Sequence, residues 1–144
     1  MGTVRIQVYS SATAPRQALH LLKVALAPLN LTLEELGTIE LVMAEALNNI
    51  WEHAYQAGRS NGPIELFCRQ TRHGLLFDLI DTGQPLPGGH IPLGTPADLS
   101  VATRDIPEGG YGWFLIRDLA KDITYRRLDA QNHLHLRMAI AYAR

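Results

Sequence analysis

One candidate for chemistry is a carboxylate followed closely by a glycine, at Asp81-Thr82-Gly83. The apolar stretch at 75–80 predicts a strand, so the carboxylate would stand directly after a strand end. There it could accept a hydrogen bond from an exocyclic amine such as that of adenine, and Gly83 would let the backbone approach closely. Asp and Gly are also common turn residues, and taken alone this tripeptide is better explained as a simple turn.

A second candidate is the glycine cluster Gly109-Gly110-Tyr111-Gly112, which leads into a predicted helix. Exposed backbone N–H groups at a helix N-terminus can bind phosphate. The cluster lacks the GxxxxGK[ST] pattern of a P-loop, and it does not follow a strand as a Rossmann fingerprint does. The alternative interpretation of the cluster is a flexible hinge.

A third candidate is a polar strip at four-residue intervals, formed by Glu45, Asn49 and His53. In a helix, each four-residue step turns the side-chain direction by only about 40°, so the three groups share one side. The apolar residues Ile39 and Met43, with others at the same spacing, predict a core face beside the strip. Such a border is ordinary in any amphipathic helix, so the spacing alone does not predict a site.

The elements that would position these groups follow from hydrophobic periodicity and turn residues. Thr32 and Glu35 have the spacing of a capping box at a helix start. Between residues 81 and 112 no period is sustained, and we interpret this Gly- and Pro-rich segment as a lid over about 84–110. Strands are predicted at 3–9, 64–71, 75–80, 122–128 and 133–140, and helices from 15 to a break at 28–30, from 32 to about 57, and at 111–121.

This order groups strands in pairs instead of alternating them singly with helices. It therefore predicts an α+β fold in which helices cover one face of a mixed, mainly antiparallel sheet. A Rossmann-type wound sheet fits poorly. The 144 residues predict a single domain spanning 1–144.

Composition limits the possible partners and compartments. Thirteen Lys and Arg against fourteen Asp and Glu give a net charge of −1, so we expect no direct nucleic-acid binding. No apolar run approaches the roughly 20 residues that span a bilayer, and the first ten residues lack a signal-peptide layout. With Cys68 as the one cysteine, we expect a cytoplasmic protein without membrane attachment.

Together the three candidates occur in the order of one known nucleotide site. The strip and the alanine after it, ExxxNxxxHA, resemble the N box of the GHKL ATPases. The Asp81 tripeptide resembles their adenine-binding G1 box, and the glycine cluster resembles the G2 box that closes the lid. The segments LVMAEALNNIWEHAY, DTGQPLP and GGYGWFLIRDLAKDITYRR are similar to stand-alone anti-sigma-factor serine/threonine kinases, and the resemblance covers essentially the whole chain.

The resemblance implies the two-layer Bergerat ATP-binding fold, with ATP or ADP and Mg²⁺ as ligands. Glu45 matches the catalytic general base of the family, Asn49 matches the Mg²⁺ ligand, and Asp81 matches the carboxylate that selects adenine. The other positions that it implies near the nucleotide are His53, Gly83, Arg104, Gly110 and Gly112.

Two features depart from the family pattern. The lid is short and rich in proline, which changes its individual contacts. Many relatives carry a Thr near the adenine in the last strands, where this chain offers His133 and His135. These substitutions would weaken nucleotide affinity or move the contact to water. A metal pair is the alternative for the two histidines, but no third ligand occurs at a sensible spacing.

The resemblance implies an enzyme that transfers the γ-phosphoryl group of ATP to a Ser or Thr of an anti-sigma-factor antagonist, a STAS-type protein. It also implies reversible binding of a sigma factor or similar regulator, and relatives are commonly homodimers. The alternative is a nucleotide-gated module that sequesters a partner without phosphorylating it. A sensor histidine kinase would need a helical segment with a phosphoacceptor His before the first strand, and we expect none.

Overall fold

The computed structural model describes residues 2–92 and 110–141, without the side chains of residues 110 and 111. The second α-helix, α2 at Leu33–Asn49, continues directly into a π-helix at Ile50–Gln56, which we call the π segment. Short 3-10 helices occur at Ala27–Leu29 and Pro87–Gly89. In chain order the main elements are β1 Val4–Tyr9, α1 Ala14–Leu26, α2 Leu33–Asn49, β2 Pro63–Thr71, β3 Gly74–Asp81, α3 Gly110–Leu119, β4 Lys121–Leu128 and β5 Gln131–Met138.

The strands form one five-stranded sheet in the order β1-β2-β3-β5-β4. Each neighbouring pair among these described strands is antiparallel. The turn between β4 and β5 consists of Asp129 and Ala130, both at positive φ, 50° and 63°. Two consecutive residues of this kind match the right-handed twist of a tight hairpin. In the β3–β5 pair, Asp81 lies opposite Asn132, which places the end of β3 beside the start of β5.

The core lies between one face of the sheet and the helices, as the predicted α+β two-layer fold requires. Alternate residues of the central strands point inward, among them Leu66 on β2, Phe77 on β3 and Leu136 on β5, each with 0% exposure. The predicted core face of α2 is confirmed, since Ile39 and Met43 are buried, as are the residues that follow at the same spacing. The polar strip therefore borders the core.

The start of α2 is fixed by a capping box, as the sequence predicts. The Thr32 hydroxyl accepts from the Glu35 backbone N–H at 3.1 Å, and the Glu35 carboxylate accepts from the Thr32 N–H at 2.9 Å. The second carboxylate oxygen of Glu35 accepts from the Ala141 N–H at 3.1 Å, which ties the residues after β5 to this helix start.

The helix predicted to about residue 57 does extend to Gln56, but its α-helical part ends at Asn49 and the rest is the π segment. Two predicted boundaries were wrong. The last strand ends at Met138, before Ile140. The third helix ends at Leu119, and Lys121 already pairs in β4, where a bulge at Asp122 (φ 52°) absorbs the change of direction. In the part of the chain that the structure describes, no helix is long and apolar enough to cross a membrane.

Candidate functional site

A cavity of about 370 Å³ lies between α2 with the π segment on one side and the end of β3 with the start of β5 on the other. This size suits a small organic ligand. Its apolar wall includes Ala46, Ile50, Leu86, Trp113 and Leu134, and its polar groups include Asn49, His53, Asp81, Gln84 and Asn132. An apolar enclosure with a few converging polar groups is the usual design of a ligand site.

Asp81 ends β3 and is only 4% exposed. Its Oδ1 accepts from the Gly83 backbone N–H at 2.9 Å and from the Asn132 side-chain amide at 2.7 Å. Burial raises the pKa of this carboxyl, and the bonds from Asn132 and Gly83 oppose that rise. Both bonds use Oδ1, so among the described residues Oδ2 keeps its acceptor capacity for a ligand.

Asn132 is a polar residue of the cavity that the sequence analysis missed, as it missed Gln84. It is 5% exposed, lies on the inward face of β5, and contacts Asp81 directly. His133 and His135, the histidines that the sequence offered near the adenine, alternate with Asn132 along β5. Their side chains therefore lie on the other face of the sheet and point away from the cavity. The alternation already recognised at Leu134 and its neighbours, extended by one step, would have identified Asn132.

The two histidines lie on the outer face of the sheet. His135 Nδ1 contacts the Asp78 carboxylate at 2.9 Å, and His133 lies 3.2 Å from the Gln131 side-chain oxygen. Within the described ranges, no group of three or more His, Cys, Asp or Glu side chains could hold a metal ion. The metal-pair alternative for these histidines therefore has no third ligand among the described residues.

Gly83 is where the loop after β3 rests on the π segment. A Cβ at this position would lie 2.4 Å from the carbonyl oxygen of Ala54 and 2.5 Å from its carbonyl carbon. The close approach lets the Gln84 N–H donate to the Ala54 carbonyl at 2.8 Å, while the Gln84 side-chain amide donates to the His53 carbonyl at 2.6 Å. The wide turn of the π segment thus presents helical carbonyls to the loop, a use of π geometry that is frequent near functional sites.

Tyr55, also on the π segment, anchors the same loop from below. Its side chain is fully buried, and its hydroxyl accepts from the Thr82 N–H at 2.8 Å while donating to the Pro63 carbonyl. The backbone directly after Asp81 is therefore held at two points, at Thr82 by Tyr55 and at Gln84 by the carbonyls of the π segment. Such fixed surroundings preorganise the carboxylate.

Asn49 and His53 supply two polar atoms that lack a partner. Asn49 is 8% exposed, and its Nδ2 and the His53 Nε2 are buried without a hydrogen bond in the described structure. A buried unsatisfied polar group costs about 1–3 kcal/mol, so a polar ligand in the cavity would relieve this cost. The amide of Asn49 also offers the kind of oxygen that Mg²⁺ prefers, and these residues therefore fit a nucleotide with its metal.

Glu45 lies one helical turn before Asn49, at the N-terminal end of α3. A Cβ on Gly112 would be 2.5 Å from the Glu45 Oε2, so the carboxylate rests directly on this glycine. Burial raises the pKa of Glu45, and the negative charge of Glu52 raises it further. The Glu45 carboxylate, the general-base candidate, therefore lies against Gly112 in the first turn of α3 and one helical turn from Asn49.

The remaining predicted positions divide into two groups. Gly110 begins α3, and Gly112 is buried beside Glu45. Arg104 and the predicted lid from 93 to 109 lie outside the described residues, whereas residues 84–92 of that lid are described. Of these, Gln84, Pro85, Leu86, Pro87 and Pro92 line the cavity.

The model of the histidine kinase-like ATPase domain matches residues 9–139. The chain belongs to the histidine kinase-like ATPase family. The chain is also similar to the serine/threonine-protein kinase BtrW of Bordetella bronchiseptica, with 35% identity over 102 residues that cover 69% of this chain and 67% of that protein. Membership in this ATPase family implies nucleotide binding, and the cavity is the candidate place for it.

Proposed function

We propose that this chain is an ATP-dependent protein serine/threonine kinase that phosphorylates an anti-sigma-factor antagonist and reversibly binds a sigma factor. Its similarity to a named serine/threonine-protein kinase supports the kinase class. The observation that carries the proposal is the position of Glu45, on the same helix side as Asn49 and against the N-terminal end of α3.

In the proposed complex, the adenine enters the cavity and its amine donates to Asp81. The phosphates extend towards the start of α3, where backbone N–H groups favour negative charge. Asn49 would hold Mg²⁺, which neutralises phosphate charge and orients the γ-phosphoryl group. This arrangement would leave the γ-phosphate on the Glu45 side of the site.

Glu45 would then act as the general base. Its carboxylate takes the proton of the substrate Ser or Thr hydroxyl while the hydroxyl oxygen bonds to the γ-phosphorus and the bond to ADP breaks. The raised pKa of Glu45 makes its ionised form a stronger base than an exposed glutamate. Because the base must be deprotonated, we expect the transfer rate to fall as pH decreases through this pKa.

The second candidate function is a nucleotide-gated module that sequesters its partner without phosphorylating it. The nucleotide site would be the same, but a pure binder has no need of a base. The Glu45 carboxylate is partly buried, which costs desolvation energy, and a catalytic role explains this cost where a binding role does not.

The proposal extends to a cytoplasmic location and a homodimer, and both partners are proteins.

The test is single-turnover transfer from labelled ATP with Glu45→Gln, using antagonist captured from the source cells in the presence of ADP. We expect the transfer rate to fall by about a hundred- to ten-thousand-fold, while ATP affinity stays within a few-fold. Glu40→Gln is the matched control, because Glu40 lies on the same helix but pairs with Lys23 at 3.3 Å. Transfer at the wild-type rate in Glu45→Gln would place the base elsewhere. A wild-type protein that binds ATP and the antagonist but never transfers phosphate would favour the sequestering module.

A further inference from the structure

The side-chain amide of Asn132 links three strands at the end of the cavity. It lies opposite Asp81 on β3 and opposite Arg127 on β4 in the strand registers. Its Nδ2 is 2.7 Å from the Asp81 Oδ1 and 2.9 Å from the Gln84 carbonyl oxygen. We propose that Asn132 is a positioning residue that sets the base selectivity of the site, by holding Asp81 with only Oδ2 free for the purine 6-amine.

This role rests on the proposed nucleotide site, and it adds a residue that the family resemblance did not supply. The resemblance pointed to a Thr near the adenine in the last strands, for which this chain offers His133 and His135, and both histidines face the other side of the sheet. The position of Asn132 comes from the strand register, and its contacts come from the hydrogen bonds of its side chain.

The orientation of the amide is fixed by donors on its other side. The Tyr125 hydroxyl accepts from the Leu86 N–H at 3.0 Å, so its own proton is directed to the Asn132 Oδ1 at 2.6 Å. The Arg127 guanidinium also donates to this oxygen, at 3.1 Å. A flipped amide would place its NH₂ group against two donors and its oxygen against the Asp81 carboxylate. The amide nitrogen must therefore face Asp81.

With Oδ1 occupied by Asn132 and Gly83, Asp81 offers a single acceptor, Oδ2, to the cavity. Adenine carries an amino donor at its 6-position, whereas guanine carries an oxygen acceptor there. An ionised carboxylate accepts from the amine and repels the oxygen, so selectivity requires that Asp81 stay ionised and correctly turned. Asn132 provides both conditions, because a donor to the carboxylate favours its ionised form.

Other charged or titratable groups also surround this carboxylate. Arg127 on β4 and His133 on β5 lower the pKa of Asp81, after the larger effects of burial, Asn132 and Gly83. Tyr55 approaches from the π segment, and His53 lines the same cavity. In Asn132→Leu these groups remain, so a change in the pH profile would report the loss of the amide.

The experiment compares the affinities of ATP and of purine riboside triphosphate, which lacks the 6-amine, by calorimetry from pH 5 to pH 8. The wild type should prefer ATP by about ten-fold or more, as expected for a hydrogen bond to a charged group, and Asp81→Asn should abolish this preference. In Asn132→Leu the preference should fall at least several-fold. The pH below which ATP affinity declines should also move upward, since loss of the donor raises the pKa of Asp81.

Gln131→Leu is the matched control, because Gln131 is adjacent to Asn132 but its side chain lies on the outer face of the sheet. Tyr125→Phe is the second variant if Asn132→Leu fails to fold. It keeps Asn132 but removes one of the two donors that orient its amide, so it should reduce the preference partially.

A merely structural role of Asn132 would weaken both ligands equally at every pH. That result, or an unchanged preference in both variants while Asp81→Asn loses it, would overturn the positioning role and leave the nucleotide site intact. A wild type that binds neither ligand, or binds both equally, would instead overturn the proposed adenine site together with the role that depends on it.

Discussion

The close approach of Gly83 to the π segment makes a quantitative prediction for Gly83→Ala. The new Cβ would lie 2.4 Å from the Ala54 carbonyl oxygen, whereas an unstrained contact needs about 3.5 Å, so the loop must move by about 1 Å. The backbone angles of Gly83 are not the obstacle, because its φ is not among the positive values of the described glycines. The cost is therefore steric and local.

The movement weakens the two bonds that Gln84 makes to the π segment, at 2.8 Å to Ala54 and 2.6 Å to His53. Each such bond contributes about 0.5–1.5 kcal/mol net, and overpacking costs about 1–3 kcal/mol. We expect Gly83→Ala to lower the free energy of unfolding by about 2–4 kcal/mol. It should also weaken ATP binding, because the Gly83 N–H supports Asp81.

Gly37→Ala is the matched control with the opposite sign. Gly37 lies inside α2, and a Cβ there would meet nothing within 4 Å. Replacing a glycine in a helix interior by alanine stabilises the helix by about 0.5–1 kcal/mol. Urea unfolding of both variants measures the two effects, with unchanged m-values expected. If Gly83→Ala unfolds within about 0.5 kcal/mol of the wild type, the steric argument is refuted.

Three further predictions concern individual groups. Asp81→Asn should make the free protein more stable in urea unfolding at neutral pH, because burial raises the Asp81 pKa above 3.8 and so disfavours the ionised carboxylate in the folded state. The gain in unfolding free energy should shrink as pH falls through that pKa. A gain independent of pH would contradict the raised pKa. Asn49→Ala should weaken ATP binding by about ten-fold or more in Mg²⁺ but much less in EDTA, and calorimetry showing equal losses in both buffers would make Asn49 structural. Burial raises the pKa of Cys68 to about 12, so a thiol reagent at pH 8 should label the native protein about a thousand-fold more slowly than the unfolded chain, and equal rates would show that the thiol is accessible.

Local sequence signals were enough for most of the fold. The Thr32–Glu35 capping box, the period-2 strands and the apolar face of α2 each depend on residues within a few positions of one another. The candidate strip on α2 was also recognisable, since Asn49 and Glu45 are related by one helical turn. Its orphaned amide and its contact with Gly112 became evident only from the packing of α3 on α2.

The parts that the sequence could not supply depend on distant partners. The π segment is supported by the docking of Gln84 on the carbonyls of residues 53 and 54, about 30 positions away. The role of Asn132 depends on the β3–β5 register, which sets it opposite Asp81 across 51 positions. The alternation along β5 predicts that the Asn132 side chain points inward. Which residues it contacts depends on the register of the neighbouring strands, which the sequence alone does not give.

The π segment has a consequence for chain length. A π turn holds one residue more than the α-helical turn that it replaces, so it behaves as a one-residue insertion within a helix. Deleting one residue from Ile50–Gln56 would restore ordinary winding and leave the chain after it in nearly the same direction, because the wide turn already absorbs the extra residue. The carbonyls of His53 and Ala54 would then be drawn into bonds within the helix, and Gln84 would lose the two acceptors that it now uses. A single-residue gap here in an alignment with a relative would therefore mark a helix that no longer holds the loop after β3.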